Sequence, residues 1–342
     1  MYLHALHHST KILGLGRRIP MSRFSMTTSS SMTTSSLPAP LPLPSPKLIT
    51  LDCTGTLMQL TTEVGMFYRE SLFGATSCLA RLPRPDVFTS AFFSSYKEEN
   101  EKLPCFGKVD GVDGRDWWRR VVKGTYDRVP EIDNEEGLRE ELEGELFEVV
   151  FEDLYANVFT SPEAWQLKPQ TLPFLRALKL WNGPKVALIS NFDSRLPTVL
   201  TNLGVNLNDF EAIIMSGEVG VAKPDKRIFE HAQQLAGVEK SSDCVHLGDN
   251  FERDVRGATG AGWASVFIPS DGGVILGYDD QSDGQGGYIE VCDLEGFLQL
   301  YDKNTNDEHG VRLLPTTRVL TEHGNNSIEG REYNIMIGDL VD

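Results

Sequence analysis

Four places in this 342-residue chain put residues of the right types for phosphoryl chemistry at the ends of short apolar runs. The first is Leu48-Ile49-Thr50-Leu51-Asp52-Cys53-Thr54-Gly55-Thr56, which delivers one carboxylate into a glycine turn. The second ends Lys185–Asn191 on Ser190 and Asn191, the third is Lys223 in Gly220-Val221-Ala222-Lys223-Pro224-Asp225, and the fourth is Gly248-Asp249 followed by Asp254. Each has an ordinary reading when taken alone. Asp52 could cap a turn, Ser190 or Asn191 could cap a helix, Lys223 could be a surface charge, and Asp249 and Asp254 could be first-turn acids favoured by a helix dipole. Together they supply a nucleophilic carboxylate, a hydroxyl donor, a cation and two further acids. Phosphoryl transfer needs that combination: a nucleophile, donors for the equatorial oxygens, and a divalent cation that lets carboxylate meet phosphate.

Something must bring four distant stretches to one place, and the chain pattern supplies it. Leu48–Leu51 is too short for a helix and stops at Gly55, as a buried parallel strand does. From Thr171 onward helices and strands alternate: helix to about 181, strand 185–191, helix to Gly204, strand 212–216, helix 226–236, strand 244–249, a short helix, strand 264–268. Such alternation predicts βαβ units and an α/β fold with a Rossmann-like parallel sheet, with ligands at the carboxyl ends of its strands. Residues 47–57 and 171–302 make up this expected core. Residues 58–170 read as an inserted block of helices that caps the site. Patterns at 62–82 and 114–127 flank a turn-rich loop at 101–108. An apolar stripe follows at helical spacing: Leu138, Leu142, Leu146, Val150 and Leu154, joined by Phe147 and Phe151. Trp117 and Trp118 read as packing residues of this block. Residues 271–291 read as an acidic glycine-rich loop, 293–301 as a last helix, and 303–342 as a polar extension of no assignable role.

The formal net charge of −17 is unevenly spread: all 49 acidic residues fall after Lys47, whereas five of the 32 basic ones do not. The acidic body should repel nucleic acid and anionic membrane surfaces, so neither is an expected partner. Five scattered cysteines without a CxxC pair argue for a reducing compartment and against a disulfide framework or a zinc site. Residues 1–46 form a leader with a proline-rich linker. Residues 1–36 are basic, acid-free and rich in serine and threonine, with the hexapeptide Ser-Met-Thr-Thr-Ser-Ser at 25–30 repeated at 31–36. That composition fits an organelle transit peptide, with the mitochondrion the first expectation. A plastid peptide, or a disordered leader on a cytoplasmic or nuclear protein, are the alternatives.

On its four motifs, in order, the sequence resembles the haloacid dehalogenase-like superfamily. Asp52-Cys53-Thr54-Gly55-Thr56 is similar to the first motif, Ser190 at a strand end to the second, Lys223-Pro224 to the third, and Gly248-Asp249-Asn250-Phe251-Glu252-Arg253-Asp254 to the fourth. The segments Gly114–Trp118, Ile189–Asp193 and Lys223–Phe229 point to one branch of it. The resemblance spans about residues 47–270 and implies a Rossmann-like core with a helical cap, Mg2+ as cofactor, a small phosphorylated metabolite as substrate and an aspartyl-phosphate intermediate on Asp52. Asp52 would attack phosphorus, Ser190 and the neighbouring amides, Asn191 included, would hold phosphoryl oxygens, and Lys223 would neutralise charge. Asp52, the backbone carbonyl of Thr54, Asp249 and Asp254 would hold the metal, an oxygen-only set that suits magnesium.

One position departs from that pattern. Phosphatases of the superfamily usually carry a second aspartate two residues after the nucleophile, where it protonates the leaving group and then activates water. Here that residue is Thr54, whose hydroxyl does not titrate near neutrality, so an acid–base contribution of about 10²–10⁴ in rate would be missing. Two expectations therefore stand side by side: a weak or specialised phosphatase, and an impaired relative that binds a phosphoryl ligand or a protein partner. Asp-x-Thr-Gly-Thr is also the pattern of P-type ATPases, but no apolar run in this chain approaches the length of a bilayer span.

Overall fold

The computed structural model of the chain describes residues 46–76, 82–130, 132, 137–181, 183–269, 288–290 and 293–300. The leader before Pro46 and the extension after residue 300 lie outside these, so the expectations placed on them are not addressed by the fold. All the described residues belong to one unit, Leu41–Asp342. Among the described residues, no helix is long and apolar enough to cross a membrane.

Six parallel strands build the central sheet, in the order β5-β4-β1-β6-β7-β8. β1 (Leu48–Leu51) lies in the middle, with β4 (Lys185–Ser190) on one side and β6 (Cys244–Gly248) on the other. β5 (Ala212–Met215), β7 (Ala264–Phe267) and β8 (Tyr288–Glu290) complete it. Because both faces of an internal parallel strand are covered, β1 reads as a continuous apolar run, and all four of its residues are buried. The chain leaves β1 for β4 and β5, then returns to add β6 on the opposite flank. β1 therefore lies at the point where strand order reverses, and its carboxyl end opens into a crevice. Its register is Leu51 opposite Leu188 and Leu247, which brings Asp52, Ser190 and Gly248 to one edge.

Between β1 and β4 the chain makes a detour. β2 (Met58–Leu60) leads out and β3 (Trp165–Leu167) leads back, paired antiparallel with Met58 opposite Leu167. Between them lie α1 (Val64–Thr76), α2 (Pro85–Lys102), α3 (Gly114–Asp127), α4 (Leu138–Glu141) and α5 (Glu145–Glu152). Helix α6 (Thr171–Leu180) then re-enters the core. Trp117 and Trp118 of α3 are packed at the centre of the insert, edge to face with centroids 5.0 Å apart. The core helices α7 (Leu196–Asn202), α8 (Ser216–Val219), α9 (Lys226–Leu235), α10 (Gly257–Gly260) and α11 (Leu294–Leu300) alternate with strands as the sequence pattern predicts.

The structure refines three local readings. The stripe from Leu138 to Leu154 is not one continuous helix: α4 and α5 are separated at Gly144, and residues Asp153–Asn157 form a π-helical turn. Glycine at that position exposes backbone and breaks helical continuity, while the apolar side chains still pack inward. The loop assigned to 271–291 contains β8, a three-residue edge strand too short to show a periodicity. Helix α2 is an addition, although its buried Phe88, Ala91, Phe92, Ser95 and Tyr96 follow a regular helical spacing.

Candidate active site

The first turn after β1 is built to present a carboxylate. Leu57 N and Met58 N both donate to Cys53 O, at 2.8 and 3.0 Å, and Gly55 N donates to Met58 O at 2.7 Å. This closes the loop so that Asp52, 1% exposed, faces the crevice. The carbonyl of Thr54 takes none of these turn bonds. Gly55 has φ +84°, and a Cβ there would meet Asp249 Oδ2 at 2.0 Å. The turn therefore requires glycine twice over, for its dihedral and for the approach of a second carboxylate.

The other motifs converge on the same point, although Lys223 comes from the loop between α8 and α9 and not from a strand end. Lys223 Nζ lies 2.5 Å from Asp52 Oδ1 and 2.7 Å from Asp254 Oδ1, with all three side chains almost fully buried. Thr56 Oγ1 donates to Asp52 Oδ2 at 3.1 Å and approaches Asp249 Oδ1 at 3.4 Å. Lys223 is placed by its neighbours: its N–H donates to Asn191 Oδ1 at 2.8 Å, and Asn191 Nδ2 donates to the Lys223 carbonyl at 3.0 Å. Two residues later Asp225 caps α9 by accepting from Arg227 N at 2.9 Å. Asp254 is brought back toward β6 by a π-helical turn over Phe251–Arg256, begun by Asn250 Oδ1 accepting from Arg253 N at 2.9 Å. Its Oδ2 then accepts from Asn250 N at 2.9 Å, and a Cβ on Gly248 would strike its carboxyl group.

Behind Asp254 stands a group that the motifs do not announce. His246 Nε2 lies 3.0 Å from Asp254 Oδ1, and Thr50 Oγ1 lies 2.8 Å from His246 Nδ1. Burial holds the imidazole below its ordinary pKa against the pull of Asp254, so the ring is neutral. A carboxylate only accepts, so Nε2 carries the proton and the Thr50 hydroxyl donates to Nδ1. Burial pushes the Asp254 carboxyl up, but Lys223 and His246 outweigh it and hold it well below the usual range. Thr50 lies opposite His246 in the β1–β6 register, so the two side chains share a sheet face. No spacing in the sequence announces His246, because the pairing of β1 with β6 is what brings it to the site.

Asp52, Asp249 and Asp254 offer carboxylate oxygens that all lie within 4.8 Å of one another. Three acids this close repel, and the Lys223 ammonium bridges Asp52 and Asp254. The donor set is all oxygen and partly buried, which fits a hard divalent cation. Ser190 is fully buried at the end of β4, one residue beyond the level of Asp52. The Asn191 side chain is committed to the Lys223 backbone, leaving its N–H as the donor available to an anion. Thr54 Oγ1 is buried and has no hydrogen-bond partner among the described residues, so the position two residues after Asp52 carries an unsatisfied hydroxyl.

The insert is tied to this edge by a second buried cluster. Trp118 Nε1 donates to Asp193 Oδ2 at 2.6 Å, and Arg195 forms a bidentate pair with the same carboxylate at 2.7 and 2.9 Å. The guanidinium lies 4.9 Å from the Trp118 ring and 4.3 Å from that of Tyr155, and Nη1 donates to Tyr155 O at 3.1 Å. Burial raises the Asp193 carboxyl, yet Arg195 and Trp118 outweigh it and bring it below the ordinary value. Beside the cluster is an apolar cavity of about 30 Å³, edged by Leu60, Val64, Phe92 and Phe192.

Comparison with known proteins agrees with this architecture. The sequence profile of the haloacid dehalogenase-like hydrolases matches residues 46–262. Haloacid dehalogenase-like hydrolase domain-containing protein 3 of Bos taurus is 31% identical over 224 residues, 65% of this chain and 81% of that protein. It represents the branch to which Gly114–Trp118 and Lys223–Phe229 point. Rhythmically expressed gene 2 protein of Drosophila melanogaster is 29% identical over 231 residues, 65% of this chain and 82% of its own. A 2-haloacid dehalogenase from Pseudomonas syringae pv. Tomato DC3000 aligns over 74% of this chain and 96% of its own at 21% identity and a TM-score of 0.46, too distant to bear on the reaction. With its profile match spanning the segments that carry Asp52, Ser190, Lys223 and Asp249, the chain belongs to the haloacid dehalogenase-like hydrolases.

Proposed function

We propose that the chain is a Mg2+-dependent phosphohydrolase that acts on a small phosphorylated metabolite through an aspartyl phosphate on Asp52. The observation that carries this reading is the placement of Asp52 at the switch point of the sheet, bonded to Lys223 at 2.5 Å and with the oxygens of Asp249 and Asp254 within 4.8 Å. In the first half-reaction an Asp52 oxygen attacks phosphorus, the ester P–O bond breaks, and the leaving alkoxide takes its proton from water. In the second, water attacks the acyl phosphate, inorganic phosphate departs, and the carboxylate is restored. Ser190, the Asn191 amide and Lys223 hold the phosphoryl oxygens as negative charge redistributes over them. Asp52, the Thr54 carbonyl, Asp249 and Asp254 would hold Mg2+, which when bound supplies the positive charge that lets a carboxylate meet a phosphate.

Thr54 favours a second reading. With a buried, unpartnered hydroxyl where an acid–base group is expected, the site could bind a phosphoryl ligand and stall, as an impaired relative does. Dehalogenation by the same carboxylate needs no divalent ion, and the convergence of Asp249 and Asp254 supports the phosphoryl reading over it. Incubation of the protein with Mg2+ and a panel of phosphorylated metabolites decides among these. Turnover above an Asp52→Asn control supports the hydrolase, and ligand binding without turnover supports the stalled site. We carry the leader forward as a mitochondrial presequence. A reporter fused to residues 1–46 that stays in the cytoplasm or enters the nucleus would contradict it.

A further inference from the structure

One cation beside the nucleophile loop has no task in that scheme. Lys168 follows β3, and its N–H donates to Leu57 O at 2.9 Å. The same carbonyl accepts from Thr171 Oγ1 at 2.6 Å, and Leu167 is paired with Met58. Lys168 is thereby pinned to the turn that opens with Asp52, on the segment that returns from the helical insert. Its side chain is partly buried, and its ammonium makes no hydrogen bond or ion pair among the described residues. The carboxylates whose fields reach it are Asp249 and Asp52, which oppose the lowering of its pKa by burial.

An ammonium that is half removed from water without a partner is a poor arrangement for stability alone. A lysine whose stem merely covers apolar surface extends its head to bulk solvent, away from the catalytic acids. Lys223 cannot take a second role at the rim, because it is already bonded to Asp52 and Asp254 and is almost fully buried. In-line attack by Asp52 sends the leaving group away from the sheet edge, toward the insert. Lys168 follows β3 on the segment that returns from the insert to the sheet, which anchors it on that side.

We propose that Lys168 is a specificity residue that binds a second anionic group on the leaving-group side of the substrate, so that the site prefers phosphate monoesters carrying a further carboxylate or phosphate. This rests on the phosphohydrolase reading. Binding of methylphosphonate and of 3-phosphonopropionate, one anionic group against two, tests it by calorimetry at fixed free Mg2+. The wild-type protein is expected to bind 3-phosphonopropionate at least tenfold more tightly. Lys168→Gln should remove that preference and keep methylphosphonate affinity within about twofold, while Lys168→Arg should retain the preference. Equal wild-type affinities, or a preference that survives Lys168→Gln, overturn the role of Lys168 and leave the phosphoryl site standing. Failure of the wild-type protein to bind either probe overturns both.

Discussion

At the scale of single residues the outcome turns on Thr54. A threonine hydroxyl cannot exchange a proton with a leaving alcohol or a water near neutral pH, so release of phosphate from Asp52 should be the slow step. Thr54→Asp supplies the missing group, and its kcat is expected to rise by about 10²–10⁴ with a new ionisation in the pH–rate profile. Unchanged kcat would show that turnover is limited elsewhere. The same positions show what a sequence reveals. Asp52, Ser190, Lys223 and Asp249 were legible because each ends an apolar run or opens a loop beside a glycine or proline. Thr50, His246 and Lys168 were not, because their roles depend on which strands become neighbours. Asn191 was legible as a polar strand end, but its side chain serves the Lys223 backbone, a pairing 32 residues away in sequence.

At the scale of elements, the insert and the sheet meet through Trp118, Asp193 and Arg195. Asp193 is buried, so its ion pair contributes little by existing, but removing one partner leaves a charge without compensation. Arg195→Met is expected to cost about 3–5 kcal/mol, whereas Trp118→Phe, which removes one hydrogen bond, should cost about 1–3 kcal/mol. Denaturant unfolding of the two variants should rank them in that order, and the reverse order would show that the packing of Trp118 matters more than the charge. The sign of the pH effect follows from the depressed Asp193 carboxyl. Its contribution is fully present above the unfolded value near 3.9 and disappears as pH falls through the lower folded value. Asp193→Asn should therefore lose stability at neutral pH and show a shallower decline on acidification. The insert was visible in the sequence as a block of helical patterns. The β2–β3 pairing was not, since three-residue strands carry no periodicity and their register is set by the returning chain.

At the scale of the whole molecule, the parallel sheet was legible from regular alternation, and the position of β1 between β4 and β6 gives the site its crevice. The same topology brings three carboxylates together from both sides of the insert, which makes the folded state a better ligand for a divalent ion than the unfolded chain. Mg2+ at about one hundred times its Kd should add about 2.7 kcal/mol, or roughly 5–10 °C in Tm for a domain of this size. Asp249→Asn should abolish most of that shift. An equal Mg2+ effect in that variant would place the ion elsewhere.

If Asp52 accepts a phosphoryl group, the adduct can be trapped without knowledge of the natural substrate. Acetyl phosphate offered as donor with Mg2+, followed by acid quench and peptide mapping, should yield a phosphoryl adduct on the peptide containing Asp52. That adduct should be stable to acid, released by hydroxylamine and absent from Asp52→Asn. Its slow decay in the wild-type protein, and faster decay in Thr54→Asp, would follow from the missing acid–base group. No adduct, or the same adduct in Asp52→Asn, would contradict the account.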